Sequence, residues 1–300
     1  MNNKLIDNIV WWIPFKNLRN FVREILILLL TFDKRLTELN KKISELDNRI
    51  IAVNNNISIF SDFENINKSE NNKDKYEYNY IFSIGENCFT AALLRDNNLR
   101  KCSGPLDWLT PLEYSKINLI SNLQLINNEF EDFFDKKYLS FVGKTDYKYS
   151  IYFDSNSHLY YPHDFKEGDN FDVEYDSVYL KYKNRINRTI DLLKDNNKVL
   201  MVYIEYYKLF NNLDIFNTIT WLDNIRTKYK NNNIDLLYIK HSYFVEKDRI
   251  NFKLIDNKLH LYILDNSFDY NYNNLSYYLH SWSGNVKNTS KILQRYKLIE

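Results

Sequence analysis

Short, continuous apolar runs separated by segments of helical period constrain the fold of this 300-residue chain more than any other feature. Strands are predicted over residues 80–84, 147–153, 159–161, 199–204, 234–239 and 259–264, and helical patterns span residues 86–97, 111–127, 176–195, 214–229 and 285–296. Strands that are apolar throughout are typical of parallel sheets buried on both faces. The pattern therefore predicts an α/β domain over residues 80–300, with a mostly parallel sheet flanked by helices in three layers.

The first segment of the chain is amphipathic and rich in aromatic residues. Residues 4–30 include Trp11, Trp12 and Phe15, and residues 1–35 carry six basic against three acidic side chains. Aromatic rings beside basic side chains suit the headgroup region of an anionic bilayer. Residues 1–32 are therefore interpreted as a segment that docks on a membrane surface, and the alternative is a helix packed on the folded domain or on a partner protein.

Residues 33–60 have a heptad pattern. From Leu36 to Phe60, apolar residues recur at alternating steps of three and four, charged residues occupy the other faces, and Gly and Pro are absent. This narrow stripe predicts a coiled-coil helix through which the chain forms a homo-oligomer. The alternative is an amphipathic helix lying on the domain. Residues 61–79 are polar and aperiodic, which predicts a flexible linker.

Composition limits the classes of function. Forty basic and thirty-nine acidic side chains leave a net charge of +1, which argues against a nucleic-acid binder driven by bulk charge. Two cysteines cannot form a disulfide framework or a four-cysteine zinc site, and phosphate-binding Gly-rich loops and metal-spaced His pairs are absent from the sequence. We expect no cofactor, no metal and no nucleic-acid partner. Without a long apolar run or a secretory cleavage site, the expected location is the cytoplasm, with residues 4–30 as a candidate contact to the inner face of the membrane.

Cys88 is the main candidate for a nucleophile. A predicted strand ends at Ile84, Gly85 permits a tight turn, and Cys88 falls in the first turn of the following helix. Free backbone N–H groups and the helix dipole lower the pKa of a thiol at this position and can hold an oxyanion. The carboxyl edge of a parallel sheet is also where ligands usually bind. The alternative is a structural cysteine buried at the start of a core helix.

A thiol nucleophile needs a base, and two histidines are candidates. His163 lies in what is interpreted as a loop after a short strand, with Asp164 beside it. His241 follows a strand at its carboxyl end and is the second candidate. His260 lies inside an apolar strand, where a hydrogen-bonded core histidine is expected.

Three acids are candidates to orient the histidine or to bind substrate. Asp107 follows the Gly104-Pro105 turn, Asp164 adjoins His163, and Glu205 comes directly after a buried strand. The alternative for Asp107 is a turn or cap residue. If Asp164 and His163 lay on one strand, their side chains would point to opposite faces.

Four ordered motifs resemble an uncharacterised bacterial family catalogued as papain-like cysteine peptidases. The motifs are Ser83-Ile-Gly-Glu-Asn-Cys88, Leu94-Arg95 with Leu99-Arg100, Ser103-Gly-Pro-Leu-Asp-Trp108 and His163-Asp-Phe165, within about residues 79–265. Leu106 stands where the family usually has Phe. The resemblance implies Cys88 as the nucleophile and His163 as the base of a cysteine peptidase or related hydrolase.

Two weaker resemblances keep other functions open. Residues 11–20 resemble the openings of proteins from bacterial surface-polysaccharide gene clusters, and the turn from Gly85 to Cys88 is similar to one in capsule-modifying acetyltransferases. The leading hypothesis is a cysteine-nucleophile hydrolase acting on a peptide or amide. The alternatives are an acyltransferase of surface-polysaccharide biosynthesis and a non-enzymatic, membrane-peripheral glycan-binding or scaffold protein. A papain-like fold sets a helical lobe against an antiparallel barrel-like sheet, whereas the pattern here predicts a parallel one.

Overall fold

The computed structural model describes residues 6, 10–11, 15–60, 63–65, 76–85, 88–111, 119–168, 170–205, 214–242, 245–265 and 285–299. For residues 44–60, 64, 65 and 111 it describes the backbone alone. The chain divides into two compact units, Met1–Ser61 and Asp62–Glu300.

The N-terminal unit contains one long helix, α1, over Lys16–Phe60. Its 45 residues give a length of about 68 Å. The sequence suggested a change of character between residues 32 and 33, but the helix continues through this point because no Gly or Pro interrupts residues 16–60. In the described ranges, every helix falls short of the length or the hydropathy that a bilayer crossing requires.

The second unit alternates helices and strands. Its helices are α2 (Cys88–Asp96), α3 (Leu119–Asn127), α4 (Phe171–Lys194), α5 (Ile215–Tyr229) and α6 (Val286–Leu293). Its strands are β1 (Glu64–Asn65), β2 (Tyr76–Tyr78), β3 (Tyr80–Ser83), β4 (Thr110–Pro111), β5 (Leu139–Lys144), β6 (Tyr149–Asp154), β7 (Leu159–Lys166), β8 (Val199–Glu205), β9 (Ile234–Ser242), β10 (Ile250–Ile255), β11 (Leu259–Asp265) and β12 (Tyr296–Leu298).

Side-chain caps fix where several of these helices begin. Asn170, Asp214 and Asn285 precede α4, α5 and α6, and each side-chain oxygen accepts a hydrogen bond from a backbone N–H of the first turn. These bonds satisfy N–H groups that have no partner within the helix. The starts of α5 and α6 therefore agree with the sequence, where helical patterns begin at Asp214 and Asn285.

The described strands form a central six-stranded sheet in the order β1-β10-β11-β9-β8-β3. The four strands from β11 to β3 are parallel, whereas β10 and β1 are antiparallel to their neighbours. Every residue of β8 and β11 is buried. The continuous apolar runs are thus explained by cover on both faces.

Alternate residues along the parallel strands supply two separate apolar clusters. The first cluster joins one face of the sheet to α2 and α6 through Ile81, Val202, Leu237, Leu93, Leu94, Ile292 and Leu293. The second joins the other face to α3, α4 and α5 through Phe82, Met201, Leu236, Ile126, Leu193, Leu222 and Ile225. The predicted α/β class is confirmed, with helices on both faces, but the central sheet is mixed.

A second, antiparallel sheet in the order β4-β7-β6-β5 corrects the prediction of a mostly parallel architecture. Leu159, Tyr161 and Phe165 of β7 pack in the cluster that contains α4. The sequence indicated parts of β6 and β7. It did not indicate β5, because β5 is largely exposed and lacks an apolar run. His163 therefore lies inside strand β7 and not in a loop.

Element ends differ from the predictions at three further places. Strands β1 and β2 lie within residues 61–79, where a linker was predicted, and Tyr78 is fully buried, so the folded unit begins before Tyr80. The helix predicted over residues 111–127 is described only from Leu119, since residues 112–118 lie outside the described ranges. Helix α6 ends at Leu293 because β12 leaves it to pair with β2.

Candidate functional site

The turn after β3 places Cys88 as the first residue of α2, at the carboxyl end of a parallel strand. A Cβ atom added to Gly85 would lie 2.2 Å from Thr90 Oγ1 and 2.6 Å from Thr90 Cβ, so glycine is required here. Asn122 of α3 donates from Nδ2 to the Ile84 carbonyl oxygen at 2.8 Å. Thr90 and Asn122 thus restrict the turn. The predicted strand–turn–helix around Cys88 is confirmed, although residues 86 and 87 lie outside the described ranges.

The protonation state of Cys88 differs from the sequence expectation. The side chain is half-buried, and burial raises the pKa of its thiol above the ordinary value, with a smaller opposing effect from its own backbone N–H. Desolvation disfavours the anion more than the backbone favours it. At neutral pH the isolated thiol is therefore protonated, and its attack on a carbonyl requires a base.

Asp107 belongs to a buried ion pair and not to a catalytic contact with histidine. Its Oδ2 atom accepts a short hydrogen bond from Arg100 Nη2 and a second, at 2.8 Å, from the backbone N–H of Gly104. Burial raises the pKa of Asp107, and Arg100 acts against this shift. Arg100 also donates to Ser103 Oγ at 2.7 Å. The carboxylate fixes the Gly104 turn, which is the structural role that the sequence left open.

The same turn carries Trp108, which contacts His163. The Trp108 and His163 rings meet edge to face with centroids 6.4 Å apart, and Tyr149 approaches the imidazole from 6.3 Å. The Arg100 guanidinium lies 5.7 Å from the Trp108 ring centre. His163 is exposed, and partial burial of its ring lowers its pKa. A neutral imidazole at neutral pH can accept a proton.

A chain of contacts leads from β3 to His163, although the two lie in different layers. Helix α2 packs on one face of the central sheet, and β7 belongs to the layer on the other face. The segment between α2 and β4 passes from one layer to the other: Leu99 lies in the first cluster and Leu106 in the second. Beside β3, a Cβ atom on Gly104 would lie 3.7 Å from the Ser83 carbonyl oxygen.

This topology limits where Cys88 and His163 can meet. Among the described residues, no hydrogen bond joins the two side chains. Helix α2 and strand β7 lie on opposite faces of the central sheet, and β3 is the edge strand of that sheet in the described part of the chain.

Asp164 lies on the other side of β7 from His163, as period two requires. Its carboxylate accepts hydrogen bonds from Lys181 Nζ and, at 2.8 Å, from Tyr182 Oη, both on α4. Asp164 therefore joins β7 to α4 and does not orient the imidazole.

Glu205 and His241 form a separate polar cluster at the carboxyl ends of β8 and β9. Glu205 accepts a short hydrogen bond from Tyr238 Oη, and Lys240 Nζ lies 3.5 Å from its carboxylate. His241 donates from Nδ1 to the Glu205 carbonyl oxygen at 3.0 Å, and its Nε2 lies 3.3 Å from Thr289 Oγ1. Burial lowers the pKa of His241. With both ring nitrogens engaged, His241 has the features of a structural residue.

His260 is a hydrogen-bonded core histidine, as predicted. Its Nδ1 atom is 3.0 Å from Tyr296 Oη, its Nε2 atom is 3.4 Å from Tyr78 Oη, and only 2% of the residue is exposed. In the part of the chain that the structure describes, no cluster of three or more His, Cys, Asp or Glu side chains could hold a metal ion.

Sequence reasoning missed the partners of the turn. Arg100 was visible as part of a motif, but its pairing with Asp107 was not, and Trp108 was not connected with His163. Arg188 of α4 also donates to the Ser103 carbonyl oxygen. Two of these contacts, Trp108 with His163 and Arg188 with Ser103, join residues that are distant in sequence. A single sequence holds no periodic signal for any of the three.

The described unit is a mixed α/β domain with a half-buried cysteine at the carboxyl end of a parallel strand. A family model described as "Putative papain-like cysteine peptidase (DUF1796)" matches residues 79–253, more than half of the chain, so the chain belongs to this family. The description supports a cysteine-peptidase-like assignment of the domain at a coarse level. Searches of curated proteins and of solved structures found no significant match. Because the family match begins at residue 79, the N-terminal resemblance to surface-polysaccharide proteins stays a prediction.

Proposed function

We propose that the domain is a cysteine-nucleophile hydrolase in which Cys88 attacks an acyl carbonyl and His163 is the base. Membership of the peptidase-like family supports a peptide or amide as substrate. The observation that carries the pairing is the series of contacts from Ser83 through Gly104, Asp107 and Trp108 to the His163 ring.

The opposite pKa shifts of the two groups favour attack by a neutral pair. His163 accepts the thiol proton as the Cys88 sulfur forms a bond to the carbonyl carbon. Backbone N–H groups in the first turn of α2 stabilise the oxyanion. The imidazolium returns the proton to the leaving amine as the C–N bond breaks, and the thioester is then hydrolysed by water, which His163 deprotonates.

The polar turn supports this chemistry by positioning. Asp107 is buried, the Arg100 side chain is only 10% exposed, and their ion pair holds the peptide segment that carries Trp108. The Trp108 ring restricts the orientation of His163, because an edge-to-face contact defines the plane of the imidazole. In this proposal Asp107 and Trp108 are positioning residues.

A second candidate is a binding protein in which Cys88 has a structural role. The raised pKa of the Cys88 thiol favours it, because resting thiolate is then scarce. The two candidates differ in one property: only the enzyme transfers an acyl group to Cys88 with the help of His163.

An acyl-transfer assay on the full chain tests the proposal. With p-nitrophenyl acetate as acyl donor, we expect an acetyl group on Cys88, detected by mass spectrometry, with release of p-nitrophenolate. Cys88→Ala should abolish the adduct, whereas Cys102→Ala should retain it. His163→Asn should slow acetylation by about a hundredfold.

His158→Asn is the matched control, since His158 is an exposed histidine in the turn directly before β7. It should keep the wild-type rate. Equal rates for His163→Asn and wild type would remove His163 from the mechanism. Equal acetylation of both cysteines would favour the structural role for Cys88, and an acetyl group that passes to an added glycan instead of water would indicate an acyltransferase.

A further inference from the structure

Helix α1 carries an apolar stripe that is longer than the predicted coiled coil. A single heptad register runs from Leu18 to Phe60 without a polar residue at any a or d position. The a positions are Val22, Leu29, Leu36, Ile43, Ile50 and Ile57, and the d positions are Leu18, Ile25, Phe32, Leu39, Leu46, Val53 and Phe60. The stripe thus includes Leu18, Val22, Ile25 and Leu29 of the segment that sequence analysis assigned to a membrane surface.

Apart from Val22, the described part of this stripe is exposed. Between 40% and 67% of the residue surface is accessible at Ile25, Leu29, Phe32, Leu39 and Ile43. A continuous exposed apolar face of this length marks a contact surface. Its repeat of 3.5 residues gives a narrow seam that fits another helix.

We propose that α1 pairs with α1 of a second copy of this chain in a parallel, two-stranded coiled coil over residues 18–60. Over residues 39–50, β-branched Ile43 and Ile50 at a, with Leu39 and Leu46 at d, are the combination that favours two strands.

Charge indicates the parallel orientation. The g positions of the charged half carry Arg35, Lys42 and Arg49, and the e positions carry Asp33 and Asp47. In a parallel pair, residue g faces residue e of the next heptad, which puts Lys42 opposite Asp47 of the second copy. An antiparallel pair would bring basic g positions together and acidic e positions together.

The stripe residues between Leu18 and Phe32 could instead contact lipid, and the heptad repeat distinguishes the two partners. A bilayer surface rewards a broad apolar face but not a strict 3.5-residue repeat. The register does not change on entering residues 33–60, where charged side chains flank the stripe. A second helix therefore explains the a and d positions along the whole of α1, whereas lipid explains only those of its first half.

Sedimentation equilibrium of the full chain tests the pairing. Wild type should have twice the mass of the chain at micromolar concentration. Leu36→Glu with Ile43→Glu places four charges in the seam and should raise the dissociation constant more than about a hundredfold. Thr37→Glu with Ser44→Glu is the matched control: it adds the same charge one residue later, at two b positions, and should leave the dimer intact.

A disulfide tests orientation. In a background with both native cysteines changed to serine, Val53→Cys should form a homodimer linked by a disulfide under mild oxidation. An antiparallel pair would keep these residues about 45 Å apart, because each lies 15 residues from the centre of the helix. Absence of that disulfide would overturn the parallel arrangement.

Three mass results would also overturn the proposal. These are a monomeric wild-type chain, a trimer or larger assembly, and a dimer that survives the two changes in the seam. A monomer that sediments with vesicles of anionic phospholipid would assign the stripe to a membrane surface instead.

Discussion

The ionisation of Cys88 decides how the proposed reaction starts. A helix N-terminus favours a thiolate, but burial opposes it, and burial is the larger effect here. The pKa of His163 shifts in the opposite direction, because partial burial of the ring lowers it. In the proposed reaction, the Cys88 thiol and the His163 imidazole are therefore both neutral at rest, and proton transfer would accompany attack on the substrate.

We predict that alkylation of Cys88 by iodoacetamide rises with pH to a midpoint above that of an ordinary cysteine thiol. Iodoacetamide reacts with the thiolate, and burial raises the pKa of the Cys88 thiol. The rate at Cys88 is measured by mass spectrometry of tryptic peptides between pH 6 and 10, in the Cys102→Ser variant. A midpoint near or below neutrality would show that the first turn of α2 outweighs burial.

At the scale of single elements, the turn between β3 and α2 depends on one close contact. Thr90 is buried beneath Gly85, and its Oγ1 atom has no hydrogen-bond partner in the described structure. A methyl group at residue 85 would overlap with the Thr90 side chain. The start of α2, and with it the position of Cys88, therefore requires that Gly85 lacks a side chain.

We predict that Gly85→Ala lowers the free energy of unfolding by about 2 kcal/mol and also slows acylation of Cys88, because the turn must shift. Gly104→Ala is the control: its new Cβ atom would meet Asp107 Oδ1 at 3.4 Å, an ordinary contact, and should cost less than about 1 kcal/mol. Urea unfolding measures both. If the two variants lost equal stability, the overlap with Thr90 would not be the cause.

The sequence predicts strands where nearly every residue is buried, and it misses strands that are short or largely exposed. The runs that became β8, β9 and β11 were visible because both faces of each strand are covered. Strand β5 was missed because most of its residues face solvent. Strands β2 and β12 were missed because each has only three residues, and the two strands are recognisable only through their pairing with each other. Pairing between distant segments has no local pattern to reveal it.

At the scale of the whole second unit, polar side chains collect at both ends of the parallel strands. The carboxyl ends carry the Cys88 turn and the cluster of Glu205 and His241. The amino ends of β9 and β11 carry Asp235 and His260, which meet Tyr78. The sequence placed candidate residues at the carboxyl edge, but it could not assign their partners. Asp107 and Asp164 were expected near a histidine. Asp107 instead forms an ion pair with Arg100, and Asp164 forms one with Lys181.

The amino-end network is bound together by hydrogen bonds in the protein interior. Tyr78 Oη donates to Asp235 Oδ2 at 2.7 Å, and Arg226 Nη2 donates to Asp235 Oδ1 at 2.8 Å. His260 connects Tyr78 to Tyr296 and so links the β2–β12 pair to the central sheet. Burial, with smaller effects from Lys198 and Arg295, lowers the pKa of His260 to about 3.

This shift predicts that acid destabilises the second unit through His260. The unfolded chain binds a proton at this histidine below its ordinary pKa of about 6.5, whereas the folded chain does not until the pH approaches 3. The contribution to stability is therefore complete above pH 6.5 and is lost as the pH falls. Between pH 7 and pH 5 the loss from this residue is about 2 kcal/mol.

His260→Gln removes the titrating group and should reduce the loss of unfolding free energy between pH 7 and pH 5 by that amount, in urea titrations followed by tryptophan fluorescence. Part of the pH dependence should remain, because burial also lowers the pKa of His241. His158→Asn replaces an exposed histidine and should keep the full wild-type dependence. If His260→Gln and wild type lost equal stability on acidification, His260 would have to be protonated in the folded chain, and the hydrogen bonds to Tyr78 and Tyr296 would then be made by an imidazolium.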